Sequence, residues 1–224
     1  MSASTSRTAV PVTTDVVKRA TLEGPLREAA WALYLETFDE LRTTALQRHL
    51  YTREEFDAVM DDERVVKYVG RRLRGPDDGV SLGDTDGADV AGLCALATFT
   101  DDLTTMPLIS PDYFAARWPE HYARGRCFYI GFVAVHPDYH GTGVFSDIVS
   151  DMTTTVSEAS GVAVLDVCHR NSERYRLPYA ILRIARSRVD SVTGTPVDTQ
   201  TYWAYEAPVA TGALPSAVVD LREG

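Results

Sequence analysis

The stretch FVAVHPDYHGTGVFSDIV, residues 132–149, decides how this chain is read. Its apolar start, Phe132, Val133, Ala134 and Val135, continues upstream to Cys127 without a charge, so CFYIGFVAV reads as one buried, central strand. Pro137 ends that strand, and glycines at 141 and 143 make a tight turn into a helix. Phe145, Ile148, Val149, Met152 and Val156 fall on one face of that helix, and Gly161 stops it. A strand that turns through glycines into a helix N-terminus gathers side-chain-free amides and the positive end of the helix dipole. Such a turn is a main-chain cradle for a phosphate or pyrophosphate. No GK[ST] follows and no N-terminal GxGxxG exists, which excludes a Walker loop and a dinucleotide fingerprint. Glycine turns also serve purely steric ends, so the bare pattern leaves both readings open.

Upstream, residues 1–16 are expected as a loose tail and 17–22 as a first strand. Pro25 opens a helix over about 24–45, with Leu26, Ala30, Leu33, Tyr34, Phe38 and Leu41 on its apolar face. Thr52 and Glu55 form a capping-box pattern before a second helix that carries Phe56, Val59 and Met60 inward. Residues 65–73 and 90–100 read as strands. Between them lies GPDDGVSLGDTDGAD, a turn-rich acidic loop; seven aspartates and no lysine or arginine fall between Gly75 and Asp102. The spacing is not that of a calcium loop, so solvated acid is the expectation.

Residues 103–126 form an aromatic insert whose prolines allow only a short helix near 111–118. The insert reads either as a cap on the sheet edge or as a wall over an acceptor pocket. Downstream, 162–167 is a buried strand and a helix lies within 173–186. Residues 189–193 and 199–206 are expected as two last strands across Gly194-Thr195-Pro196. With no repeat and no linker, the chain reads as one mixed α/β domain over 17–206, with a C-terminal tail at 207–224.

The composition narrows the partners. Lysine and arginine number 22 against 32 aspartates and glutamates, for a net charge of -10 and a pI near 4.9. An acidic surface argues against sequence-independent binding of nucleic acid or anionic membrane. No apolar run is long enough for a transmembrane helix, and the N-terminus lacks the pattern of a secretory signal. Three scattered cysteines without CxxC, and five histidines without HExxH, support neither a disulfide framework nor a metal. The expected setting is the cytoplasm.

Two motifs resemble the GNAT acyltransferase superfamily. Its phosphate loop, [QR]-x-x-G-x-[GA] after a strand ending Val-x-Pro, is matched by Val135-His136-Pro137 and then by His140, Gly141, Thr142, Gly143, Val144 and Phe145. His140 stands where the family has Gln or Arg, and Phe145 where it has Gly or Ala. Leu165-Asp166-Val167 followed by Asn171 resembles the family strand L-x-V-x-x-x-N. The resemblance covers roughly 17–206 and is strongest over 127–172.

It implies a central mixed twisted sheet of six to seven strands with helices on both faces. It also implies acetyl-CoA or another acyl-CoA as donor, with no metal. Pantetheine would lie along Phe132, Val133, Ala134 and Val135, the pyrophosphate on the 140–145 loop, and Asn171 near the pantetheine arm. A strand amide would hold the oxyanion as an amine attacks the thioester. The family's proton-donating tyrosine falls at Pro178 here, so Tyr179 and Tyr175 are the substitutes. For the base, Asp166 and His169 lead, with Glu173, Asp101 and Asp102 as further candidates. Six arginines between 170 and 188 could meet CoA phosphates or simply face solvent.

The expected activity is N-acetyltransfer to a small-molecule amine. The alternatives are a non-catalytic GNAT-fold ligand-binding or assembly protein, and an N-acyl amino-acid synthase fed by an acyl-carrier protein. A homodimer is among the assemblies the resemblance implies.

Overall fold

A computed structural model describes residues 12–44, 50–73, 90, 92–106, 109–201, 204 and 205. The chain divides into two compact units, Met1–Gly194 and Thr195–Gly224, and every helix and strand described lies in the first. Five strands form one sheet in chain order: β1 (Thr14–Arg19), β2 (Val66–Arg72), β3 (Leu93–Thr100), β4 (Cys127–Val135) and β5 (Val162–Leu165). Neighbours from β1 to β4 are antiparallel, while β5 runs parallel to β4. The helices are α1 (Gly24–Phe38), the single turn α2 (Leu41–Thr44), α3 (Arg53–Asp61), α4 (Pro111–Arg117), α5 (Pro119–Ala123), α6 (Val144–Glu158), α7 (His169–Glu173) and α8 (Leu177–Arg188).

Each face of the sheet buries one apolar layer. On one side Leu26, Ala30, Leu33 and Tyr34 of α1 and Phe56 and Met60 of α3 meet Val69, Leu96, Tyr129 and Ala134. On the other, Val144, Ile148 and Met152 of α6 meet Tyr68, Ala95, Ala97, Phe99 and Phe128. The front of α6 sits hard against the sheet because Gly70 is bare there. A Cβ on Gly70 would lie 2.6 Å from Val144 Cγ2 and 2.7 Å from Ala95 Cβ.

Local signals explain several elements. The Thr52 hydroxyl accepts from the Glu55 amide at 3.2 Å, and Glu55 Oε2 accepts from the Thr52 amide at 2.7 Å, which completes the capping box of α3. Arg53 then holds Glu28 through two bonds of 2.8 and 2.5 Å and so ties α3 to α1. Lys67 is wholly buried, and its Nζ donates to the carbonyls of Ala20 at 2.6 Å and Asp62 at 2.7 Å. Burial pushes its ammonium down to about 8.

The structure corrects four expectations. The first strand begins at Thr14, so residues 14–16 are paired with Arg72, Arg71 and Gly70 rather than loose. The long helix expected over 24–45 stops at Phe38, the last residue with a ring to bury; the exposed Asp39 and Glu40 separate it from the turn at 41–44. The sheet has five strands among the described residues, not six or seven. After α8 the chain folds back on its own helix, with the Val189 amide on Ala185 O and Arg186 Nε on Val192 O at 2.9 Å, so 189–193 meets no strand. Of 199–206, the described residues 199–201, 204 and 205 are irregular, and the rest lie outside the described residues, as do the expected acidic loop at 75–89 and the C-terminal tail at 207–224.

Candidate active site

β4 is an apolar strand whose two halves differ in their neighbours. Cys127, Phe128, Tyr129 and Ile130 pair with Val162, Ala163, Val164 and Leu165 of β5, and the ladder ends there. On the other side the register against β3 slips at the same place, from Phe99↔Ile130 to Thr98↔Phe132, so Gly131 is an extra residue in a bulge. The bulge resets side-chain parity: Tyr129 and Phe132 both face α1. Past the bulge, the His136 amide donates to Cys94 O at 2.9 Å. By strand alternation, Phe132 and Ala134 turn their backbone groups to β3, while Val133 and Val135 turn theirs away from it, to the side where β5 has ended. The result is an opening between β4 and the chain that follows Leu165, with a row of main-chain donors and acceptors along one lip.

At the end of that lip sits the glycine turn. Pro137, Asp138 and Tyr139 form a 3₁₀ turn, and Gly141 (φ 84°) and Gly143 (φ 100°) adopt left-handed conformations that other residues reach only with strain. Nothing lies within 4 Å of where either glycine's Cβ would be, so backbone conformation and not space calls for glycine here. The first bond of α6 runs from the Asp147 amide to Gly143 O at 2.9 Å, and no side chain caps the helix. The amides of Val144, Phe145 and Ser146 are therefore its first-turn donors, backed by the helix dipole. Phe145 packs its ring against the α6-side core, so the bulky residue at this position leaves the turn open. His140 is exposed on the turn, and the Thr142 hydroxyl donates to Tyr139 O at 2.9 Å.

Where the opening meets the α1 face, the sequence reading missed several groups. Tyr129 Oη donates to Asp166 Oδ1 at 2.6 Å. Burial, with the Asp166 carboxylate second, pushes the Tyr129 hydroxyl well above its usual value; burial does the same to Tyr51. The Tyr51 amide donates to Tyr34 Oη at 2.9 Å, and the two rings stack at 5.8 Å. A Cβ on Gly131 would stand 2.5 Å from Thr98 Oγ1 and 3.6 Å from Tyr51 Oη. A lone glycine inside a run such as CFYIGFVAV is the one sequence signal that marked this spot.

Of the residues picked out in sequence, the structure brings Phe132, Val133, Ala134, Val135, Gly141, Gly143 and Asp166 to the two lips of the opening. Asn171 is half-buried on the one-turn helix α7, and His169 is exposed at its start. Tyr175 and Tyr179 are 56% and 62% exposed and lie flat against arginines, Tyr175 beside Arg174 and Arg170 and Tyr179 4.8 Å from Arg176. Arg170 also holds Glu40 by a close ion pair, which links α7 to the end of α1. Asp102 is a helix-turn cap: it accepts from the Thr104 hydroxyl at 2.6 Å and from the Thr104 amide and Arg64, each at 3.0 Å, and these bonds, the hydroxyl's first, hold its carboxyl below the usual range. It lies at the end of β3, beside the start of β4 and away from the glycine turn. The insert sits at that same end. Leu103, Met106 and Phe114 join the α1-side core, and Tyr122 and Pro111 line a shallow concavity of about 270 Å³ with Asp101 and Cys127.

Among the described residues, no group of three or more His, Cys, Asp or Glu side chains could hold a metal ion, and no helix is long and apolar enough to cross a membrane.

No protein-family model matches the sequence, and no curated protein matches it. Solved structures do. An aminoglycoside acetyltransferase from an uncultured soil metagenomic sample, in complex with trehalose, matches at 9% identity and a TM-score of 0.44, over 85% of this chain and 97% of that one. A ribosomal-protein-alanine N-acetyltransferase from Brucella melitensis biovar Abortus 2308 matches at 16% identity and a TM-score of 0.42, over 87% and 100%. A Trypanosoma brucei acetyltransferase matches at 14% identity and a TM-score of 0.44, over 84% and 100%.

Proposed function

We propose that this chain is an acyl-CoA-dependent N-acyltransferase of the GNAT type that moves an acetyl or other acyl group from the CoA thioester to an amine of a small molecule. The observation that carries the reading is the parting of β4 from β5 at a bulge, with the glycine turn and the bare N-terminus of α6 at the end of the same lip. An arm with amide groups can pair with the backbone of Val133 and Val135 as a further strand would. A pyrophosphate at the end of that arm meets the amides of the turn and of the first turn of α6.

The chemistry follows from the same geometry. The thioester carbonyl beside the bulge is polarised by a strand amide, for which Val133 is the candidate, as the oxyanion develops. The amine's lone pair attacks the carbonyl carbon, the C–N bond forms, and the C–S bond breaks with its electron pair going to sulfur. The thiolate takes up the proton that the attacking nitrogen loses, which leaves an amide and free CoA.

Calorimetric titration with acetyl-CoA and palmitoyl-CoA tests this directly. Acetyl-CoA binding that Gly143→Trp weakens at least a hundredfold is the expected result, because a tryptophan at φ 100° both strains the turn and blocks its amides. No binding of either thioester overturns the reading. One observation favours a second one, a ligand-binding protein without turnover: the two tyrosines nearest the position of a proton donor face solvent against arginines. Acetyl-CoA binding with no amide formed from any primary amine would select it.

A further inference from the structure

The last turn of α1 and the residues just after it reach both lips of the opening. On the β4 side, Glu36 Oε1 lies 3.5 Å from His136 Nε2, and the Phe38 ring stands edge-on to Phe132 at 6.0 Å. Further along, Glu40 forms a close ion pair with Arg170 of α7, on the chain that follows β5. The two carboxylates thus border the mouth of the opening, one at each lip.

The second pair leaves Arg170 under-used. Glu40 takes only Nη1. Nη2 lies 3.4 Å from Tyr175 Oη, which is long for a hydrogen bond, and Nε is buried without a hydrogen-bond partner in the protein. A guanidinium holds a carboxylate best through two parallel N–H donors, so this fork has one prong filled and a buried one empty. Charge is left over as well. Arg174 stands 5.6 Å from the same Tyr175 ring that Arg170 faces at 5.9 Å, and among the described residues Arg174 has no ion pair. Glu40, for its part, is loosely committed: its side chain is 63% exposed, and a pair so open to water holds by little.

We propose that Arg170 is a carboxylate-binding group at the mouth of the opening, and that Glu40 occupies it in the resting chain. A small carboxylic acid that enters the mouth displaces Glu40 and takes Nε and Nη1 together. Its carboxylate sits on an apolar stem, since Phe38 stands two residues from Glu40 and packs on Phe132. That this carboxylate belongs to the acceptor rests on the acyltransferase reading; the subsite itself does not.

The test compares sodium hexanoate with hexanamide, a neutral molecule of nearly the same shape, by ligand-observed NMR titration at pH 7 and fixed ionic strength. The wild type is expected to prefer hexanoate at least about fivefold, and Arg170→Gln to abolish that preference. Arg170→Lys keeps the charge without the fork and retains only part of it. Glu40→Gln, a change at an exposed side chain, removes the competitor and strengthens hexanoate binding about threefold while hexanamide binding and the melting temperature stay put. That gain is a result no merely structural role for the pair would give. Equal binding of the two probes to both the wild type and Glu40→Gln, a preference that survives Arg170→Gln, or weaker hexanoate binding in Glu40→Gln overturns the proposal. Acetyl-CoA titration of the same proteins separates the two readings. A wild type that ignores acetyl-CoA yet prefers hexanoate loses the acyltransferase reading and keeps this subsite, while intact acetyl-CoA binding without any hexanoate preference does the reverse. An Arg170→Gln that weakens acetyl-CoA and leaves hexanoate unchanged gives the arginine to a CoA phosphate and overturns the proposal too.

Discussion

Along β4, residues 127–130 pair with β5, and 129 and 130 with β3 as well, whereas 132–135 pair with β3 alone, although both stretches are apolar. In the first half every inward side chain has a packed partner; Phe128, for example, stacks on Phe99 at 5.2 Å with the planes 3° apart. In the second half the side chains still pack, but half of the backbone groups face an opening. Burial of side chains and satisfaction of the main chain are thus separate requirements, and a strand can meet the first while leaving the second to a ligand. The bulge at Gly131 is the joint between the two regimes.

The largest expected contrast lies in packing. Phe128→Ala in the closed half should cost about 3–5 kcal/mol, and Val133→Ala in the open half about 1 kcal/mol, each read from the midpoint shift in urea. Equal costs would mean that the open half is as tightly built as the closed one.

Polar burial gives the next contrast. Within β2, away from the opening, Lys67 is a brace, and its folded ammonium titrates near 8 against 10.5 unfolded. Between those values the unfolded chain holds more protons, so the lysine's contribution to stability rises with pH. From pH 8 to 10, the wild type should gain on the order of 1–3 kcal/mol relative to Lys67→Met in urea titrations. A flat difference would show that Lys67 keeps its charge inside the sheet.

The smallest effect belongs to the open side. Thr98→Val replaces an unpartnered buried hydroxyl with a methyl of the same shape, and stability should change by less than about 1 kcal/mol, in the stabilising direction. A loss larger than that in the urea midpoint would reveal a partner for the hydroxyl in the resting protein.

Much of this arrangement was legible in the sequence. The strand at Cys127–Val135, the turn with its two glycines and the helix from Val144 were all readable because apolar runs, proline and glycine act locally. So was the capping box at Thr52, for the same reason. What escaped depended on contacts between distant residues. Nothing around Tyr129 announces that Asp166, 37 positions on, will accept its hydrogen bond. The strand at 189–193 was wrongly expected because its β-branched residues favour a strand only where a neighbour is present to pair with. Tyr175 and Tyr179 were chosen by spacing from Asn171, and spacing does not say which side of a helix faces water.

Gly70 gives the glycine turn a remote control. The first residue of α6, Val144, rests on the bare spot that this glycine leaves in β2, so the depth of the helix front is gauged by a residue that meets no part of the turn itself. Any side chain there lifts the end of α6 and carries its amides with it, like a shim under a hinge. Grip on an anion can therefore be retuned from the interior of the sheet, and a lineage that needed a looser or tighter hold on its ligand had a place to adjust it without altering one residue of the loop.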